Sequence, residues 1–109
     1  MPDKHLIAIC SCPDRAVAES IANHLVEHNL AACVNITSEV TSIYKWEGQK
    51  EMAKERLLLI KTANSCYDAL EAAIKQLHPY ELPEIIAVPL ERGEPHYLSW
   101  IDQCLTPAP

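Results

Sequence analysis

The sequence predicts an α+β protein with a ferredoxin-like βαββαβ order, a long central β-hairpin and an added C-terminal helix. Two observations on the chain predict this class. Strand-like and helix-like segments follow one another as strand, helix, strand, strand, helix, strand and terminal helix, which is the split βαβ pattern. The 109 residues are 49% apolar, enough to line one packed core, so we expect a single domain over residues 1–109.

The first strand and the first helix are predicted from their apolar patterns. Residues 5–10 form a short apolar run that ends at a turn over residues 11–13. Residues 14–29 are expected to be helical, because Val17, Ile21 and Leu25 recur four residues apart on one face. Pro13 suits the first helical position, where its missing N–H would be unpaired in any case.

The central hairpin is predicted from a change in composition. Residues 31–46 mix branched, aromatic and hydroxyl side chains, which favour strands, and residues 47–50 supply a turn. Residues 51–62 are ambiguous, because their first half is rich in helix formers while residues 57–60 suit a strand covered on both faces. The family resemblance given below favours a strand there.

The length of this hairpin indicates self-association. A strand of about 12 residues spans roughly 40 Å, more than two ordinary helices shield. The hairpin tip also carries Tyr44 and Trp46, which alone would make an exposed apolar edge. We therefore expect another copy of the chain to cover it.

The second helix is predicted from its start and stop signals. Ser65 and Asp68 resemble a capping box. The expected buried stripe consists of Leu70, Ala73, Ile74 and Leu77. Pro79 ends the helix, since the residue before a proline avoids the α conformation, and His78 is then expected near the surface.

The C-terminal part is predicted to add one strand and one helix. Residues 85–90 form the last strand, in which Pro89 marks an edge or a bulge. Residues 95–104 form a short helix that presents Tyr97, Leu98, Trp100 and Ile101. The tail over residues 107–109 contains two prolines and is not expected to continue it.

The net charge, the apolar runs and the cysteine count indicate which partners and which cell compartment are expected. The formal net charge is −6 and no basic cluster appears, so nucleic acid is not an expected partner. No apolar run approaches a membrane span and no secretory signal is recognisable, so we expect a cytoplasmic protein without membrane association. Five cysteines without a framework spacing are expected to be reduced. Cys33, Cys66 and Cys104 are interpreted as small apolar side chains.

Distinctive blocks of sequence cover nearly the whole chain. They are residues 30–36 (LAACVNI), residues 42–48 (SIYKWEG), Glu55 with residues 59–62 (LIKT), residues 78–86 (HPYELPEII) and residues 97–100 (YLSW). In order and spacing these blocks resemble the CutA divalent-cation tolerance family. The resemblance implies a cytosolic homotrimer, similar in architecture to nitrogen-regulatory signalling trimers, whose hairpins extend the sheets of neighbouring subunits. It also implies a role in tolerance of divalent metals, with copper bound by bacterial members.

The resemblance also points to metal-binding residues. Cys10 matches the family's cysteine at the end of the first strand, and His78 matches the histidine before Pro-Tyr. In the copper-binding bacterial pattern another histidine precedes His78, whereas this chain has Leu77. Cys12 faces the same side as Cys10 if the strand persists, which makes it a candidate to replace that histidine. Soft thiolate and borderline imidazole favour copper, with zinc a less favoured alternative.

Structural alternatives stand beside these assignments. Cys10 is also explained as a core residue, and His78 as a helix-end residue that interacts with the last carbonyls. The other four histidines have no partner at a ligand spacing; His24 and His28 lie four residues apart, which we interpret as accidental.

A second candidate site combines aromatic and charged residues. It comprises Tyr44, Trp46, Glu55, Lys61, Tyr80, Glu81 and Glu84, residue types that the family keeps near clefts between subunits. Such a cleft would suit a small ligand. The alternative is that the aromatic rings bury area in a trimer interface while the charges form pairs at its rim.

These residues predict a metal-binding protein of copper tolerance or homeostasis. The alternative is a trimeric regulatory module that senses a small molecule in the intersubunit cleft. An enzyme would need Cys10 as nucleophile with His78 as base, but no third orienting residue and no phosphate-binding loop are identifiable. We therefore expect no enzymatic activity.

Overall fold

The computed structural model of the chain describes residues 4–105. Its elements are β1 (His5–Cys12), α1 (Arg15–Glu27), β2 (Cys33–Ile36), β3 (Val40–Trp46), β4 (Gln49–Ala63), α2 (Tyr67–Leu77), β5 (Ile85–Pro89) and α3 (Pro95–Leu105). The predicted mixed α+β class with an open antiparallel sheet and helices is confirmed. None of the helices in this part of the chain is long and apolar enough to cross a membrane.

Strand β4 organises the sheet. The strand order is β2-β4-β1-β5, and β3 pairs with the first half of β4. On its other side β4 pairs with β1 only from Arg56 to Ala63. Within residues 4–105, the half of β4 that precedes Arg56 therefore has a strand on one side alone. This hairpin makes the described part of the chain elongated, with extents of 47 × 27 × 23 Å.

The core lies between the sheet and the helices α1 and α2. Strand β1 alternates, and its inward side chains Ala8, Cys10 and Cys12 are fully buried. They belong to one buried cluster with Leu58 and Ile60 of β4, Ile21 and Leu25 of α1, and Leu70 and Ile74 of α2. Neighbouring strands thus present one continuous apolar face to the two helices, as period-two alternation requires.

The opposite face of the sheet is only partly covered. Helix α3 contacts β4 and reaches His5, whose ring nitrogen Nε2 lies 2.8 Å from the Asp102 carboxylate. His5 alternates with the inward side chains of β1, so α3 covers the outer face at that end. Farther along, Ile86 and Val88 of β5 are about half exposed. The apolar outer face thus extends beyond α3.

The boundary between β1 and α1 differs from the prediction. Strand β1 continues to Cys12, two residues beyond the predicted end. Helix α1 begins at Arg15, and Asp14 caps it by accepting a 2.9 Å hydrogen bond from the Val17 N–H. The prediction that Pro13 takes the first helical position is therefore wrong. The Asp14 carboxylate accepts a hydrogen bond from a backbone N–H of the first turn, whereas a proline side chain has no acceptor for it.

The predicted β segment over residues 31–46 is divided into two strands. Residues 37–39 separate β2 from β3, and the Thr37 hydroxyl accepts the Leu57 N–H at 2.9 Å in place of a strand partner. The ambiguous segment over residues 51–62 lies wholly in β4, so its interpretation as a strand is confirmed. Glu47 and Gly48 form the turn with φ of 51° and 80°, the two positive values of a type I′ hairpin.

Three predictions about helix α2 and its two ends are wrong. A short 3₁₀ turn at Asn64–Cys66 precedes it, so Cys66 rather than Ser65 takes the N-cap position, without a side-chain capping bond. Leu77 is 39% exposed instead of belonging to the buried stripe, and His78 is only 7% exposed instead of lying near the surface. The burial of His78 follows from its extended backbone (φ −83°, ψ 136°), which turns the chain inward directly after the helix.

The C-terminal elements agree with the sequence apart from their ends. Strand β5 stops at Pro89, and α3 extends to Leu105. Of the four side chains expected on α3, Ile101 is fully buried, whereas Tyr97 and Trp100 are exposed with ring centres 5.5 Å apart. The predicted end over residues 107–109 lies outside the described residues.

Candidate metal centre

Cys10, Cys12 and His78 converge at the end of β1. Their ligand atoms, two sulfurs and a ring nitrogen, all lie within 4.8 Å of one another. The continuation of β1 to Cys12 brings the two thiols to one face, and the inward turn after α2 brings the imidazole to them. Both cysteines are fully buried and His78 is nearly so. Among residues 4–105, no other group of three metal-ligating side chains meets at this distance.

The two thiols differ in acidity because they share a hydrogen bond. The Cys10 S–H donates to the Cys12 sulfur, which raises the pKa of Cys10, and burial raises it further. The same bond lowers the pKa of Cys12, although burial and the charge of Glu55 oppose this. Cys12 is therefore the thiol that ionises first, and the thiolate is the form that binds metals. The Cys10 sulfur also lies 3.7 Å from the Ser11 carbonyl oxygen.

The His78 ring is held by two backbone groups. Its Nε2 lies 2.7 Å from the Ser11 carbonyl oxygen, and its Nδ1 lies 3.1 Å from the Tyr80 backbone N–H. Because a carbonyl only accepts and an amide N–H only donates, the neutral ring carries its proton on Nε2. The predicted alternative of a ring bound to the last carbonyls of its helix is wrong, since the carbonyl it bonds belongs to β1.

The donor set fits a soft or borderline cation. Two sulfurs and one imidazole match the ligand preferences of Cu(I) and Zn(II). With Zn–S bonds of about 2.3 Å, neighbouring ligand atoms in a tetrahedral site lie about 3.8 Å apart, so a small contraction of the cluster would suffice. Binding through His78 would exchange one of its two backbone hydrogen bonds for the metal.

A cleft of about 760 Å³ opens beside the cluster. Its lining consists of Ser11, Ser42, Ile43, Tyr44, Trp46, Glu55, Pro79, Tyr80, Glu81, Leu82 and Glu84. Six of the seven residues predicted for a cleft are therefore brought together within one chain. Lys61 is the exception, since it does not line this cleft of the single chain, and its assignment to a cleft between subunits stays a prediction. It follows Glu55 by six positions on β4, about 20 Å along the strand, and pairs there with Ile7 and Cys33.

Glu55 and Tyr80 form the inner contact of this cleft. Glu55 is only 6% exposed, and its Oε2 accepts a 2.8 Å hydrogen bond from the Tyr80 hydroxyl. Burial and the neighbouring carboxylate raise the pKa of Tyr80, because both disfavour the phenolate. The two residues are 25 positions apart, so no local pattern in the sequence could have paired them.

Sequence reasoning missed Ser11 as a residue of the site. Ser11 lines the cleft, and its carbonyl accepts the hydrogen bond from His78. The only available signal was its position between the two cysteines.

The remaining histidines and cysteines lie outside the cluster. The rings of His24 and His28 stack with centres 4.0 Å apart, and His28 Nδ1 donates to the His24 carbonyl. His5 and His96 pair with carboxylates of Asp102 and Glu94. The three cysteines Cys33, Cys66 and Cys104 are half-buried free thiols.

Comparison with known proteins yields a family match over nearly the whole chain. A family model described as "CutA1 divalent ion tolerance protein" matches residues 6–104. Protein CutA of Mus musculus is 45% identical over 94% of this chain and 58% of its own length. The divalent-cation tolerance protein CutA of Thermus thermophilus is 44% identical over 87% of this chain and 92% of its own. The chain thus spans about three fifths of the mammalian relative but nearly all of the bacterial one.

Solved structures agree with this match. The Cut A1 structure from Thermus thermophilus superposes with a TM-score of 0.87 at 44% identity, covering 88% of this chain and 93% of that one. CutA from Xylella fastidiosa gives 0.92 at 40% identity, with coverage of 94% and 99%. CutA1 from Oryza sativa gives 0.92 at 34% identity, with 96% of both chains covered. The open antiparallel sheet with its helices is therefore shared with these proteins.

Proposed function

The chain belongs to the CutA1 divalent ion tolerance family, and on that premise we propose that it binds a copper ion through Cys10, Cys12 and His78. Family membership supports a metal-related role. The observation that carries the finer proposal is the convergence of two thiols and an imidazole within 4.8 Å. The protein would act in the tolerance or homeostasis of divalent cations, with zinc as a less favoured ligand.

Each of the three side chains has a distinct part in this proposal. Cys12 supplies the thiolate, because its pKa is lowered by the bond from Cys10. Cys10 releases its proton when the metal binds, and His78 binds as the neutral ring after giving up a backbone hydrogen bond. Metal binding therefore releases protons, and the affinity should rise with pH until both thiols ionise readily.

Cys12 takes the place of a ligand that the sequence lacks. Leu77 stands where the copper-binding bacterial pattern has a second histidine. Its side chain is exposed at the end of α2, whereas the Cys12 sulfur lies inside the cluster. A three-ligand site of two sulfurs and one nitrogen suits Cu(I), which accepts low coordination numbers and soft donors.

Competition titration with a chromophoric Cu(I) chelator under anaerobic conditions tests the site. We expect one ion per chain, and we expect Cys10→Ser, Cys12→Ser and His78→Ala each to lower the affinity more than the 10–100-fold loss typical of residues beyond the ligands. Cys66→Ser is the matched control, since it removes a thiol outside the cluster. Equal affinity in all four variants and the wild type would reject the proposal.

We also propose that the chain assembles as a homotrimer with a ferredoxin-like topology. The trimeric order rests on the family resemblance. Support comes from the hairpin, where the first half of β4 has one free edge within residues 4–105. The paired side chains Ile43 and Met52 are also 64% and 67% exposed there, a geometry that favours addition of a strand from another copy.

We further propose that the protein is cytoplasmic and catalyses no reaction. A reducing compartment would keep its thiols free, as the cluster requires. A related structure from Archaeoglobus fulgidus is described as periplasmic, so cell fractionation is the direct test; recovery in the periplasm would refute the location. Against catalysis, no hydrogen bond joins the His78 ring to Cys10 in this structure, since both ring nitrogens bond backbone groups. Turnover of a thioester or peptide substrate that requires Cys10 would refute this. The comparisons do not favour the alternative of a small-molecule sensor.

A further inference from the structure

Two residues that line the open cleft are hydrogen-bonded to the buried cluster. Ser11 and Tyr80 both line the cleft, and both hydrogen-bond the His78 ring. Cys10 and Cys12 have no exposed surface, so a cation from solvent must pass between side chains to reach them. Ser11, Pro79 and Tyr80 thus form the wall of the cleft that adjoins the cluster.

The charge of this cleft has one sign. Three glutamates line it, namely Glu55, Glu81 and Glu84, and no Lys, Arg or His is among the lining residues. The field inside the cleft is therefore negative, and this cleft adjoins the cluster at Ser11 and Tyr80, which both hydrogen-bond the His78 ring.

Of the three glutamates in the cleft, Glu55 is the one best suited to hold an incoming cation. It is more than nine-tenths buried, yet within residues 4–105 it forms no ion pair, and the Tyr80 hydroxyl is its one hydrogen-bond partner. A buried carboxylate without a cationic partner carries a large cost of lost hydration. A cation that enters the cleft would offset that cost.

We infer that this acidic cleft is the entrance through which the metal ion reaches the cluster, with Glu55 as the carboxylate on which the ion first docks. The inference rests on the proposed function, since it presumes a metal at Cys10, Cys12 and His78. Tyr80 connects Glu55 to the cluster, because its hydroxyl bonds Glu55 and its backbone N–H bonds His78. A hard carboxylate suits this step because it holds a soft or borderline ion less firmly than thiolates do, so the ion moves on to the sulfurs.

The entrance predicts an effect on association rates. Clefts lined by one sign of charge and walled by low-dielectric protein raise association rates by about 10–1,000-fold, and salt screens the effect. Removing charge from the cleft should therefore slow metal binding at low ionic strength, while a charge removed elsewhere should not.

Stopped-flow association of Co(II) with the reduced full chain, followed by the thiolate-to-cobalt charge-transfer band, tests this. The variants are Glu55→Gln, Glu84→Gln and the double substitution. The Glu55→Gln substitution keeps a side-chain oxygen that accepts from Tyr80, and circular dichroism checks that the variants fold. Glu27→Gln is the matched control, because it removes the same charge from an exposed position at the end of α1.

We expect the association rate constant of the double variant to fall about tenfold at low salt and the difference to shrink at high salt. The control should stay within about twofold of the wild type. Equal rates in the double variant and the control would overturn the inference. So would a weaker affinity caused only by faster dissociation, because Glu55 would then be a ligand of the bound ion.

These outcomes separate the entrance from the site itself. If the wild type gives a band that Cys12→Ser abolishes while the cleft variants bind at the wild-type rate, the metal site stands and the entrance is refuted. If the wild type gives no cobalt band and also binds no Cu(I) in the competition titration, the proposed function is refuted, and the entrance is refuted with it.

Discussion

At the scale of single residues, the two cysteine thiols of β1 differ in acidity because of one proton. It lies on Cys10 and is shared with Cys12, which raises the pKa of the first thiol and lowers that of the second. Of the two thiols, Cys12 therefore ionises first, and Cys10 keeps its proton to higher pH. Binding of a metal to both sulfurs would release the thiol protons that remain.

The raised pKa of Cys10 predicts a loss of stability in alkali. Above the ordinary thiol pKa of 9.0, the unfolded chain releases a proton that folded Cys10 keeps, so the free energy of unfolding should fall as pH rises past about 9. Tyr80 adds to the decline above its ordinary pKa of 10.0 for the same reason. Urea unfolding of the metal-free reduced protein between pH 7.5 and 10.5 measures the effect.

Cys12 contributes with the opposite sign. Its folded pKa lies below 9.0, so its stabilisation is present above pH 9 and is lost as pH falls through the folded value. Cys66→Ser should keep the alkaline decline of the wild type, whereas Cys10→Ser should flatten it. A wild-type stability that stays constant up to pH 10.5 would contradict this account.

Removal of the Tyr80 hydroxyl should destabilise the fold. Tyr80→Phe leaves the buried Glu55 carboxylate without its one hydrogen-bond donor among residues 4–105, and a bond to a charged group contributes about 1.5–3 kcal/mol. We expect a loss of that size in the free energy of unfolding at pH 7, measured by urea denaturation. In the Glu55→Gln background the loss should be smaller.

Tyr97→Phe is the matched control for this prediction. Tyr97 is an exposed residue of α3, and its substitution should change the stability by less than about 0.5 kcal/mol. Equal effects of the two substitutions would mean that the Tyr80–Glu55 bond does not contribute.

At the scale of secondary-structure elements, the start of α1 fixes the end of β1. Because Asp14 caps the helix, Pro13 lies outside it and Cys12 remains in the strand. Within that strand, Cys12 is buried in the same cluster as Cys10.

Loss of this cap should weaken the helix. Asp14→Ala removes the 2.9 Å bond to the Val17 N–H and should cost about 1 kcal/mol of unfolding free energy. Asp14→Asn retains a capping oxygen and should recover most of that loss in thermal or urea denaturation. If Asn were as destabilising as Ala, the effect would come from the charge of Asp14 and not from the cap.

Element prediction from this sequence succeeded where local patterns agree and failed where a contact at long range overrides them. The helix face at Leu70 and Ile74 follows from periodicity, and the strand over residues 57–60 from its apolar run together with the family resemblance. The surface position predicted for His78 was wrong, because the Ser11 carbonyl at the end of β1 binds its ring. Such a contact between residues 67 positions apart leaves no trace in a local pattern.

At the scale of the whole molecule, the projecting hairpin is the feature that a lone chain does not explain. Strand β4 runs for 15 residues, and its first half is covered by β3 alone within the described residues. Ile86 and Val88 leave a further apolar area on the outer face of the sheet. Both surfaces favour association of copies of this chain.

Charge placed on the hairpin should break that association. Ile43 and Met52 pair across β3 and β4 and are largely exposed in the single chain, so Ile43→Glu with Met52→Glu should cost a lone chain little. Buried in an interface, the two carboxylates would be strongly unfavourable. By light scattering we expect about three times 12.2 kDa for the wild type and a smaller species for the double variant.

Val26→Glu serves as the control for the hairpin variant. Val26 is an exposed apolar residue of α1, away from the hairpin, and its substitution should leave the mass unchanged. A folded wild-type monomer at micromolar concentration would refute the trimer, and a trimeric double variant would remove the hairpin from its interface.

The sequence by itself determined the two main helices, the presence of a long hairpin and the family, because these depend on periodicity, turn residues and motif spacing along the chain. It did not show that residues 31–46 divide into two strands. The tertiary structure decided which side chains meet: Cys12 with Cys10 and His78, Glu55 with Tyr80, and Lys61 apart from the cleft. The physical reason is that packing brings together residues from distant positions, and a buried polar group binds whichever partner lies next to it in space.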